Sequence, residues 1–285
     1  MLEPEEYIEQ AYFWRTMRER MLDGVPSQEI IAQVKEEILS TTKLPMALDF
    51  LLGEIKHKGR LSNAMTMMRH YFTPFQSYIM TKAEDDATRF DGLIAYQVLE
   101  FEANYRASDK LTAAGLFLFQ FECLARNRLG YEDGMRAMVQ DPVYDEMWRE
   151  WITRLRLQLG AAELSELIYR RSEFAVEEKR RADRDPNWQP PVSIMFGIRE
   201  GRIAKANIGK DPLYMFAALQ RQMNYPAVPK PKAKSEERII HPVIEQRFQL
   251  LEKRLLIVEQ EAKGGIDLSQ FYVKPSGLND VDLTK

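Results

Sequence analysis

The 285-residue chain has one cysteine, three histidines and no apolar run near the roughly 20 residues that cross a bilayer. A single cysteine forms no intrachain disulfide, so a reducing compartment is the expectation. With so few thiols and imidazoles there is no short-spaced ligand pair of the kind a zinc site uses. His57, His70 and His241 do not supply the Glu-x-x-His pair on each of two helices that a di-iron bundle requires. A nucleophile elbow, a P-loop and a dinucleotide fingerprint are also missing from the sequence. These absences leave no metal, no cofactor and no catalytic residue to nominate. The opening MLEPEEYIEQ is acidic and lacks the apolar core of a signal peptide, so the expectation is a cytoplasmic protein with no membrane partner.

What is present is ordinary globular material, 45% hydrophobic and 29% charged, with a formal net charge of -3. The charge is unevenly spread. Residues 1–37 carry nine acidic groups against Arg15, Arg18, Arg20 and Lys35, whereas residues 199–238 carry nine basic groups against four acidic ones. Such asymmetry steers partners or draws the ends of molecules together.

Most of the chain reads as helix. Apolar spacing and capping signals predict helices over 4–22, 27–39, 45–56, 61–70, 74–85, 88–106, 110–128, 132–139, 141–159 and 161–183. The first should bury Ile8, Ala11 and Tyr12, and the second Ile30, Ile31, Val34 and Ile38. Thr73, Pro74 and Gln76 form a capping-box signature, while Asp141-Pro142 gives a cap-plus-proline start. Trp148 and Trp151 should face the core together, and Cys123, inside LFLFQFECLA, should be a buried apolar residue rather than a nucleophile. Glu100 and Glu102, two apart on one helix, point to different sides and should not share a site with each other.

After Pro190-Pro191 the period shortens. Val192, Ile194, Phe196 and Ile198 alternate with their neighbours, Glu200-Gly201 offers a turn, and 202–206 would be the return strand of a β-hairpin. Asp211-Pro212 then opens a helix over 212–223. YPAVPKPKAK reads as an extended linker. Beyond it, Ile244, Phe248, Leu251, Leu255 and Val258 recur at coiled-coil spacing.

The expected fold is therefore mainly α, an irregular bundle or stacked helical hairpins, with one small β-hairpin and a C-terminal helical arm. Its divisions are a helical body at 1–189, the hairpin plus helix at 190–225, the linker at 226–239, the amphipathic helix at 240–264 and a tail at 265–285. The leading functional expectation is a non-enzymatic protein-binding, adaptor or self-association module, whose partner is another protein or a second copy meeting the 240–264 helix. The alternative is nucleic-acid binding by the basic 199–238 region, with Arg199, Arg202, Lys205, Lys210, Lys230, Lys232 and Lys234 as the candidate surface. An enzyme with a site built from scattered residues is the third reading.

Overall fold

The computed structural model describes residues 1–88 and 90–230. The described residues form thirteen helices: α1 (Pro4–Leu22), α2 (Ser27–Glu37), α3 (Leu44–Lys58), α4 (Leu61–Met67), α5 (Pro74–Ala83), α6 (Gly92–Ala107), α7 (Ala113–Asn127), α8 (Tyr131–Val139), α9 (Glu146–Gln158), α10 (Leu164–Arg170), α11 (Glu173–Asp183), α12 (Ile198–Ala206) and α13 (Pro212–Met223). Among them α1 and α6 share the longest contact, and each later helix mainly adds to a neighbour in sequence or one or two elements away. One continuous core runs through this irregular bundle, from Trp14 and Phe72 at one end to Phe117, Trp151 and Phe216 at the other. No helix among the described residues is long and apolar enough to cross a membrane.

Local chemistry accounts for most helix limits. Thr73 accepts from the Gln76 backbone amide while the Gln76 side chain accepts from the Thr73 amide, completing the capping box that opens α5. Asp91, Thr112 and Asp211 cap α6, α7 and α13 more simply, each by one side-chain oxygen accepting from a first-turn amide. α1 matches its sequence limits but turns a different face inward. Its buried stripe is Tyr7, Ala11, Trp14 and Met17, with Phe13 beside it, whereas Ile8 is 56% exposed. The larger aromatic area of Phe13 and Trp14 decides the rotation, because it outweighs one isoleucine.

The β-hairpin does not exist. No β-strand occurs among the described residues, and the proposed return strand is helix α12. Arg199, Glu200, Arg202, Ala204, Lys205 and Ala206 all favour helix. Gly201, taken from the sequence as a turn residue, instead lies buried in α12 where that helix crosses the start of α11. A β-carbon there would stand 2.6 Å from Ser172 Cβ and 2.8 Å from Phe174 Cβ. Of the alternating apolar set only Phe196 is fully buried, while Ile194 is 41% exposed.

Residues 195 and 196 instead act as a plug. Their amides donate to the Arg171 carbonyl at 2.8 and 3.1 Å, and Glu173 N donates to the Phe196 carbonyl at 2.9 Å. The ring of Phe196 meets Trp148 and Trp151 edge-on, with centroids 5.7 and 5.5 Å away. This docking splits the single helix expected over 161–183. Ser172 caps α11 by accepting from Ala175 N and donates its own hydroxyl proton to the Tyr169 carbonyl. The α9 start also moves. Asp145 caps that helix, and Asp141 is drawn fully into the interior.

Past α13 the chain folds back. Tyr225 and Pro229 are buried, and Asn127 Nδ2 of α7 donates to the Pro229 carbonyl at 3.1 Å. The helix expected over 240–264, with Ile244, Phe248, Leu251, Leu255 and Val258, lies outside the described residues, as do Lys232, Lys234 and His241.

Candidate functional site

The basic residues singled out from sequence take an unexpected setting. Arg199, Arg202 and Lys205 rise three apart along α12, on one side of a helix rather than on a ribbon edge. Lys205 Nζ contacts Glu178 at 2.6 Å, and both Lys205 and Arg202 lie over the Phe174 ring at 5.8 and 5.5 Å. Part of the positive charge is thus spent within the molecule. Lys210 occupies the α12–α13 turn and Lys230 follows α13, both exposed.

A groove elsewhere is better formed. Two concavities of about 330 and 260 Å³ share Arg69, Pro74 and Gln140 in their linings and so lie side by side along one groove face. The end of α4 and the residues after it give Thr66, Arg69 and His70 as one wall. Pro74, Ser77 and Thr81 line the groove along the length of α5, and α8 with its C-terminal cap supplies Asp133, Arg136 and Gln140 opposite. Arg136 is paired with Glu132 at 2.8 Å. Arg69, by contrast, is exposed and meets no carboxylate within ion-pair distance among the described residues. Ser77 Oγ is buried without a hydrogen-bond partner among the described residues. His70, expected at a helix end, lies just beyond α4 on the rim of this groove.

Behind the rim formed by Gln140 and Pro142 sits a cluster of buried charges. Arg106 of α6 donates to Glu102 at 2.7 Å and, through both terminal nitrogens, to the two oxygens of Asp141. All three side chains are fully buried. Gln120 Nε2 donates to Glu102 at 2.8 Å, and the Tyr144 hydroxyl donates to Gln120 Oε1 at 2.8 Å. The Asp141 carboxylate also accepts from Val143 N at 3.1 Å, which fixes the α8–α9 turn. The Arg106 guanidinium lies 5.9 Å from the Tyr7 ring centre, and Tyr7 lines the groove. Burial pushes the Glu102 carboxyl up, Arg106 pulls it down, and the Asp141 charge raises it again; the net direction is upward. Burial likewise pushes the Tyr7 hydroxyl up.

Glu100 and Glu102, weighed from the sequence, and Glu122 on the next helix take separate partners. Glu100 pairs with Arg18 at 3.2 Å, and Glu102 with Arg106. Glu122 accepts from Arg126 and from the Tyr225 hydroxyl. No group of three or more His, Cys, Asp or Glu among the described residues is placed to hold a metal ion. Cys123 is fully buried, and burial pushes its thiol well up, so thiolate chemistry is suppressed. Trp148 and Trp151 do share the core, 5.4 Å apart.

Sequence reading missed both the groove and the cluster. Asp141 was hidden by its resemblance to a helix cap, since Asp-Pro serves either purpose. The available signal was Gln120, a lone amide inside LFLFQFE, which in an apolar helix demands a buried polar partner. No family model, no curated protein and no solved structure matches this chain.

Proposed function

We propose that the protein is a non-enzymatic helical scaffold that binds an extended acidic segment of a protein partner in the groove between α4, α5 and α8. The observation that carries this reading is that two adjacent concavities meet at Arg69, an exposed guanidinium without a carboxylate partner among the described residues. A floor of apolar Pro74 and exposed Thr81, with Arg69 on one wall facing the Glu132-paired Arg136, suits a chain segment carrying a carboxylate better than a compact reactive substrate.

The test places a photo-crosslinking residue at Thr66, which is exposed in the groove wall, and repeats the experiment in the Arg69→Glu background. The expected outcome is a discrete adduct in cells that disappears on charge reversal. That adduct's partner, once purified, should bind wild-type protein more than tenfold tighter than R69E, a difference of about 1.4 kcal/mol. Adducts that are identical in both backgrounds would remove the groove from consideration.

A further inference from the structure

The buried cluster holds two carboxylates against one guanidinium. Glu102, Asp141 and Arg106 are all shut away from solvent, so the site has a formal charge of -1 if every group keeps its ordinary state. An isolated net charge in a water-free interior is far costlier than taking up a proton. The hydrogen bonds indicate where that proton belongs. Asp141 is held on both oxygens: Oδ1 accepts from Arg106 and Val143 N, and Oδ2 accepts from Arg106. Glu102 is held on Oε1 alone, by Arg106 and Gln120, and its Oε2 has no partner among the described residues. An unpartnered oxygen on the less well-held carboxylate is the place for a hydroxyl.

We propose that Glu102 is a buried carboxylic acid at neutral pH and that its ionisation is a pH-sensitive latch on the α8–α9 turn. The latch works through shared partners. Arg106 and Gln120 both bridge Glu102 to Asp141, and Asp141 organises the turn through Val143. When Glu102 loses its proton, two anions compete for one guanidinium, and the strain falls on the element that is a turn rather than a helix. The other groups facing the site are Tyr7 from α1, Tyr105 on α6, Cys123 on α7 and Tyr144 from the turn. None of these side chains carries a positive charge in any protonation state, and burial pushes Tyr7, Cys123 and Tyr144 toward the neutral form. None of them can replace the missing positive charge. The inference stands whether or not the groove binds a partner, because it concerns the protein alone.

Infrared difference spectroscopy on the full chain tests it directly. At neutral pH the wild type should show the carbonyl stretch of a protonated carboxyl that is absent from Glu102→Gln. The same stretch should vanish in Asp141→Asn, where a single carboxylate faces Arg106 and stays ionised. The fold holds the Glu102 proton above the ordinary carboxyl value of about 4.3, so its contribution is complete below that pH and is lost as pH rises toward the folded-state value. The melting temperature of the wild type should therefore fall relative to E102Q as pH is raised above about 4.3, and amide protection relative to the intrinsic exchange rate should drop at residues 140, 141, 143 and 144 in wild type only. A neutral-pH spectrum unchanged by either substitution overturns the proposal. Parallel melting curves for wild type and E102Q across that range overturn it independently, and if E102Q fails to fold, the D141N spectrum still decides.

Discussion

Two glycines inside helices have opposite meanings. Gly201 is a contact: its missing side chain lets α12 lie against Ser172 and Phe174. An alanine there meets carbon atoms fixed by a cap and by an edge-to-face aromatic pair, so neither yields readily. Gly201→Ala should cost about 1–3 kcal/mol in urea denaturation. Gly53, in α3, has nothing within 4 Å of where a β-carbon would stand. Gly53→Ala should therefore stabilise by about 0.4–1 kcal/mol, through lost freedom of the unfolded chain. If both alanines destabilise equally, helix crossing distance is not what separates them.

At the scale of elements, legibility followed the locality of the cause. The limits of α1 and α13 and the α5 capping box were readable because a cap and the residues it serves lie within one turn. The hairpin was misread because its cues, a short alternation and a Glu-Gly pair, were weaker than the helical preference of 199–206 and the demand for a close crossing at Gly201. The break between α10 and α11 was invisible for a different reason. It depends on a plug from more than 20 residues downstream, whose two amides take up the Arg171 carbonyl. Phe196 anchors that plug between Trp148 and Trp151. Phe196→Ala should cost about 3–5 kcal/mol. Its particular signature is loss of hydrogen-exchange protection at Glu173, Met195 and Phe196 before the rest of the core opens. Uniform exchange across α9–α11 in that variant would show the plug is not a separate unit.

Among the described residues, polar ties between distant segments, together with the apolar core, close the helical body. Glu6 of α1 accepts from Lys43 N and from the Tyr71 hydroxyl, and Gln10 and Gln76 meet side chain to side chain, so α1 is bound to α3 and α5. Arg106 and Asp141 tie α6 to the α8–α9 turn. The last of these ties is Tyr225, beyond α13. Its hydroxyl donates to Glu122 at 2.8 Å on α7 and also lies 3.1 Å from the Phe216 carbonyl. Glu122 is buried, with Arg126 as its other partner, so removal of the tyrosine hydroxyl leaves a buried carboxylate oxygen without its donor. Tyr225→Phe keeps the ring and its packing, and the cost is confined to that oxygen, about 1–3 kcal/mol. For a body of this size the melting temperature should fall by roughly 2–4 °C for each kcal/mol. Because the tie joins segments over 100 residues apart, the loss should appear in the global transition, with the whole curve displaced and its cooperativity kept. A separate early transition confined to α13 would mean that this helix is held by Phe216 and Leu219 alone and that the tyrosine tie does not close the described body.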